Sequence, residues 1–184
     1  AYLDGARIEV FANVQDAAGD TMNDGEIVVH GSCGDATGYA MRGGTIFVEK
    51  DAGYRCGIHM KEYGDKSPQI VIGGRCGSFL GEYQAGGIIL VLGIGCEDRC
   101  PVGNFCGTGM HGGKIFLRTA HLPPDLPAQV CVKQAEAGDK EIIRPLVEGY
   151  CARFGGEAEA LLQSEYFLLT PNSQNPYRQM YVHN

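Results

Sequence analysis

Six isoleucines, Ile8, Ile27, Ile46, Ile70, Ile89 and Ile115, hold one register along the chain at spacings of 19, 19, 24, 19 and 26 residues. Two places after each stands a second aliphatic residue, Val10, Val29, Val48, Ile72, Val91 or Leu117. A short strand therefore recurs. Removing one insertion of five residues and one of seven brings the glycines into line, Gly34, Gly53, Gly77 and Gly103 in one column and Gly38, Gly57, Gly81 and Gly107 in the next. The first copy is partial, with Gln15 and Gly19 in those places. Self-similarity near 20 residues with one strand per unit predicts a solenoid, because a single unit cannot bury its apolar face and must stack on its neighbour.

Gly43-Gly44, Gly86-Gly87 and Gly112-Gly113, with Asp24-Gly25 in the first copy, precede the strands and read as corner turns. In the third copy Ser67-Pro68 takes that place. Met22, Met41, Met60 and Met110 share a further column, with Gln84 the exception, and read as core filler. Cys33 and Cys76 share a column with Ala52 and Val102, and Cys56 and Cys106 share another with Thr37 and Leu80. Small apolar residues alternating with Cys predict an interior stack. Members of each pair lie two units apart, about 9 to 10 Å, beyond the Cα reach of about 7 Å for a disulfide. Buried free thiols and the absence of a signal-peptide pattern in the opening residues predict a cytoplasmic location.

The period of two along a strand turns the Ile and Val columns inward and the residue between them outward. That outward column is Glu9, Val28, Phe47, Val71, Leu90 and Phe116, apolar in five of six copies. A solvated face would be polar. The column is therefore covered, either by the chain's own C-terminal segment or by a partner domain.

After Leu117 the repeat stops. His121 to Pro127 reads as an extended linker, and Val130 and Val132 as one short strand. Ile142, Ile143, Leu146, Val147, Tyr150 and Phe154 recur at helical spacing up to Gly155-Gly156. Pro145 predicts that this helix begins close to it. Glu157 to Tyr166 reads as a second helix, and Thr170 to Asn184 as an extended tail. The organisation expected is a repeat region over 1–120, a Pro-rich linker over 121–138 and a helical extension with its tail over 139–184. The first helix is expected to cap an open end of the stack.

The net charge of −7 excludes nucleic acid as the expected partner. The longest apolar stretch, Gly87 to Ile94, is far below the roughly 20 residues of a membrane-spanning helix. Gly107-Thr-Gly-Met-His-Gly112 matches a dinucleotide-binding pattern in letters, but that pattern opens a helix whereas a strand is expected here. Lys114 lacks the spacing and the Ser or Thr of a phosphate loop. Cys96 and Cys100 stand outside the core columns, in the longer insertion Gly93 to Pro101. They read as ordinary loop thiols, a loop disulfide, or half of a metal site completed by a partner's ligands, since two thiolates fall short of the usual four. Cys131 and Cys151 read as packing residues. His59 and His111 fall on corners with different directions, and Asp35, Asp51, Glu82 and Asp98 sit on turns without a spacing fixed for paired-acid chemistry. No catalytic, cofactor-binding or metal residue is assigned.

Gly31-Ser-Cys-Gly-Asp-Ala-Thr-Gly-Tyr-Ala-Met-Arg-Gly-Gly44, Val71-Ile-Gly-Gly74, Gly81-Glu-Tyr-Gln-Ala-Gly-Gly87 and Val102 to Gly113 resemble the GXGXG domain at the C-terminus of the glutamate synthase large subunit. The resemblance runs from Leu3 to Arg118 and implies a mainly β fold. Specifically, it implies a right-handed single-stranded parallel β-helix of about six coils with a short α-helical C-terminal extension. It further implies a free-standing, split-type (archaeal-type) subunit with a noncatalytic scaffold role in transfer of the glutamine amide nitrogen to 2-oxoglutarate. The implied partners are a glutamine amidotransferase subunit and an FMN-binding synthase subunit, which hold the nucleophilic cysteine, the FMN and the iron–sulfur cluster. A homo-oligomer is a further expectation. Formylmethanofuran dehydrogenase and N-methylglutamate synthase are alternative assemblies, and an independent thiol- or metal-dependent function at Cys96 and Cys100 is the alternative of a different class.

Overall fold

The computed structural model describes residues 1–172, so the extended tail expected beyond that point lies outside the described residues. Ten elements follow in order: β1 (Arg7–Val10), β2 (Glu26–Val29), β3 (Thr45–Val48), β4 (Gln69–Ile72), β5 (Ala85–Val91), β6 (Gly112–Arg118), β7 (Val130–Gln134), α1 (Ala137–Phe154), α2 (Ala158–Gln163) and β8 (Tyr166–Pro171). The strands form one eight-stranded sheet in the order β1-β2-β3-β4-β5-β6-β8-β7. From β1 to β6 the pairing is parallel, and Ile8, Ile27, Ile46, Ile70, Ile89 and Ile115 stand opposite one another in sequence.

The right-handed single-stranded parallel β-helix implied by the resemblance, and with it the solenoid expected from the repeat, is corrected by this topology. The sheet is mixed, because β8 runs antiparallel to both β6 and β7, and the C-terminal third joins the sheet rather than standing apart from it. The physical reason lies at the last repeat. There β6 would leave a row of unpaired backbone groups, and Tyr166 to Leu169 supplies the missing partners, with Leu169 opposite Ile115 and Phe167 opposite Leu117.

Between the strands, successive units also meet through isolated parallel bridges linking Val14, Cys33, Ala52, Cys76 and Val102. The main core holds the aligned columns together: Met22, Met41, Met60 and Met110 are fully buried, as are Cys56 and Cys106. Gln84 is buried in the methionine column as well, its side-chain amide donating to the carbonyls of Gly86 and Gly87 at 3.2 Å.

A second core lies on the sheet's other face. Phe47, Val71, Leu90 and Phe116 of the outward column pack with Ile143, Leu146, Val147 and Tyr150 of α1 and with Leu162, Tyr166 and Leu168. The cover is thus the chain's own C-terminal segment. Helix α1 lies over this face and does not cap an end of the stack; β8 and β7 close that end instead. The helix also starts earlier than Pro145 predicts. The Asp139 carboxylate accepts the Glu136 amide at 2.9 Å and pairs with Lys133 at 2.8 Å, which secures a first turn eight residues upstream of the proline. Lys133, and then the Glu136 amide, hold the Asp139 carboxyl below the usual carboxylate range.

Polar contacts fix where α1 sits. The Tyr150 hydroxyl donates to the Glu49 carbonyl at 2.8 Å. A Cβ on Gly73 would stand 2.1 Å from that hydroxyl, so glycine is needed there by close approach. Arg153 stacks 4.2 Å over the Phe47 ring and pairs with Glu26, anchoring the helix end to β2 and β3. Phe116 is fully buried between the sheet and the helix layer. Phe116→Ala is therefore expected to destabilise the chain by about 3–5 kcal/mol, read as a lowered urea midpoint; a loss below about 1 kcal/mol would contradict the described packing.

Candidate functional site

The carboxylates on the turns are used within the frame. Asp16 accepts the Asp35 amide at 2.9 Å, Asp35 accepts the Tyr54 amide at 2.8 Å, and Asp51 accepts the Arg75 amide at 2.7 Å. Asn13 and Ser78 do the same for Ser32 and Asn104. Each such bond ties one unit to the next, at about 1 kcal/mol net. Glu82, buried with only 9% exposure, pairs with Arg55 at 3.0 Å. Asp98 lies on the exposed loop that also holds Cys96 and Cys100.

The turn between Gly107 and Gly112 leads directly into strand β6, so the dinucleotide-like letters open no helix. Gly107 and Gly109 adopt positive φ there, and Lys114 sits in the strand beside Ile88. His59 and His111 do not converge: His59 stacks on Tyr83 with ring centroids 5.1 Å apart, while the His111 ring lies 3.2 Å from the Gly109 carbonyl. Among the described residues, no three of His, Cys, Asp and Glu come together at metal-binding distance.

The thiols divide by burial. Cys33, Cys56, Cys76 and Cys106 line the main core, and contact between the Cys56 and Cys76 thiols crosses from one column to the other. That contact, together with burial, pushes the Cys76 thiol well up. Burial, opposed by the hydrogen bond with Thr37, takes Cys33 up to about 12, and burial is the main cause that raises Cys106. Raised in this way, the Cys33, Cys76 and Cys106 thiols are not thiolates near neutral pH. Cys96 is buried inside its loop, its sulfur 3.8 Å from the Arg99 carbonyl and 3.9 Å from that of Cys100. Burial also raises the Cys100 thiol. Beside this loop runs an open groove of about 430 Å³ lined by Asp51, Arg75, Cys76, Arg99, Cys100 and Pro101 among others.

A second surface feature is the corner that carries the aligned glycines. Ala17, Ala36, Arg55, Phe79 and Phe105 form one column with φ between 55° and 62°, and Thr21, Ala40, His59 and Tyr83 form another with φ between 50° and 55°. Left-handed backbone costs a non-glycine residue about 1–2 kcal/mol, so the stacking of units holds these turns against their local preference. Large side chains stand on this corner all the same. Phe79 and Phe105 pack at 5.1 Å with their rings tilted by 30°, Arg55 lies 5.4 Å over Phe79, and Tyr39 meets the His59–Tyr83 stack edge-on at 6.0 Å. Tyr39, Tyr54, Tyr83 and Phe105 remain exposed by 40–55%. Apart from His59, this aromatic corner, like Arg75 and Arg99, does not figure among the candidate site residues the sequence singles out. The signal was the succession Ala36, Arg55, Phe79, Phe105 in one turn column, where small residues give way to bulky ones.

A family model described as the GXGXG motif matches residues 1–170. The chain belongs to the GXGXG motif family. An uncharacterized protein of Methanocaldococcus jannaschii is 43% identical over 187 aligned positions, which cover 98% of this chain and 72% of that relative. Membership in the GXGXG motif family relates the chain to a domain of glutamate synthase. Among the aligned glycines of the corner, Gly38 and Gly57 sit at φ 71° and 70° with Ile70 and Ile89 packed against the space a Cβ would fill. No described helix is long and apolar enough to cross a membrane.

In native chain at pH 8, an aromatic disulfide reagent is expected to label Cys131 fastest and Cys100 and Cys151 more slowly, leaving Cys33, Cys56, Cys76, Cys96 and Cys106 until the chain is unfolded. Cys131→Ser removes the fast phase; prompt labelling of the core thiols without denaturant would contradict the packing.

Proposed function

We propose that this chain is a noncatalytic structural subunit of a glutamate synthase-type complex, organising a glutamine amidotransferase subunit and an FMN-binding synthase subunit. The observation that carries the reading is the match to the GXGXG motif family along residues 1–170. The employment of the turn residues supports it, since Asp35, Asp51 and Glu82 are bonded into the frame and the Cys33, Cys76 and Cys106 thiols are held protonated. In this reading FMN and the iron–sulfur cluster belong to the partners, and no catalytic residue is assigned to this chain.

The corner bearing Tyr39, Tyr54, His59, Tyr83 and Phe105 is the surface this reading offers to those partners. The face of the sheet is occupied by α1, whereas these aromatic side chains are exposed and held on a rigid repeat. Exposed aromatics on a rigid frame are the residue types that dominate protein interfaces.

Affinity purification of the chain at native expression level is expected to recover an amidotransferase and an FMN-binding protein, and Tyr83→Asp is expected to lower that recovery at least about tenfold. Recovery of the chain with neither partner would contradict the proposal.

A further inference from the structure

Asp51 and Arg75 occupy the same place in successive units, because Ala52 and Cys76, the residues that follow them, face each other in a parallel bridge. Asp51 Oδ1 accepts the Arg75 amide at 2.7 Å, yet the carboxylate and the guanidinium form no ion pair with each other. Neither has an oppositely charged partner elsewhere among the described residues. Two opposite charges one unit apart, about 4.8 Å along the stack, thus stand open. Both line the groove of about 430 Å³ beside the loop that holds Cys96 and Cys100. That volume falls within the roughly 300–1,000 Å³ of small-molecule sites.

A third charge comes from the loop itself. Arg99 lines the same groove, with the Cys96 sulfur beside its guanidinium, so its positive charge is held at the rim. This set of charges selects among ligands. A simple anion would gain the arginines but face the Asp51 carboxylate, and a simple cation would gain Asp51 but face two guanidinium groups. A molecule with an ammonium and a carboxylate on one carbon satisfies both signs at once. The remaining side chains of the groove, those of Ala52, Cys100, Pro101 and Val102 over the buried Cys76, offer carbon and sulfur only. They suit an apolar substituent.

We propose that this groove binds an aliphatic α-amino acid, its ammonium on the Asp51 carboxylate, its carboxylate on Arg75 and Arg99, and its side chain against Pro101 and Val102. The inference stands on the groove and does not rest on the proposed function.

Titration of the full chain with L-leucine, followed by two-dimensional amide NMR, tests this. The amides of Arg75, Cys76, Cys100 and Gly103 are expected to shift together and to saturate in the millimolar range or below. Isocaproate lacks the ammonium and isoamylamine lacks the carboxylate, so each should bind at least about tenfold more weakly. Asp51→Asn removes the charge while keeping the acceptor for the Arg75 amide. It and Arg75→Gln should each weaken L-leucine at least about tenfold. Asp35→Asn, at a carboxylate with the same kind of amide contact outside the groove, should leave binding unchanged. Melting of each variant confirms that the fold is intact. The absence of saturable shifts at these amides overturns the proposal. So does isocaproate or isoamylamine binding as tightly as L-leucine, or an affinity indifferent to Asp51→Asn and Arg75→Gln.

Discussion

The packing of α1 on the outward apolar column holds this structure in its observed form. Phe47, Val71, Leu90 and Phe116 come from successive units, so each is near the helix only because the isoleucines beneath keep every unit in register. The helix in return removes a contiguous apolar stripe from water, a driving force of about 25 cal/mol per Å². Beneath both, the side chains of Asp16, Asp35 and Asp51 bind the amides of the next unit and resist slippage between them.

The same arrangement explains how the corner tolerates its backbone. Turn columns that place Arg55, Phe79 and Phe105, or His59 and Tyr83, in left-handed conformation would relax if each unit stood alone. They persist because the residues on both sides of each turn are pinned in the core, Cys56 and Met60 around Gly57, and Leu80 and Gln84 around Gly81. The result is a rigid ridge whose exposed side chains are aromatic, on the part of the molecule that α1 leaves uncovered.

Much of this was legible in the chain because a repeat converts spacing into position. The isoleucine register, the buried methionines and the cysteine columns stand where the alignment of glycines predicts, and the apolar outward column demanded a cover. What was not legible depended on contacts without periodicity. The antiparallel partnership of Tyr166–Pro171 with β6 joins segments roughly fifty residues apart, and nothing in their local pattern states which edge they seek. The start of α1 was hidden because Pro145 is a strong local signal, overridden by the Asp139 cap and by burial of Ile143 upstream of it. The Cys56–Cys76 contact escaped a column-by-column reading because it crosses between columns. As for the site, Asp35, Asp51 and Glu82 are bonded into the frame, while the exposed aromatics of the corner carried no chemical signature of their own.

If α1 and the sheet are one cooperative unit, their backbone amides must open together. Native-state hydrogen exchange measures this directly. The account predicts that the amides of Leu146, Val147 and Tyr150 in α1 exchange with opening free energies within about 1 kcal/mol of those of Ile115 to Leu117 in β6. A helix that exchanges through a separate opening several kcal/mol below the strands would show that the outward column is stable without its cover, and would contradict the account.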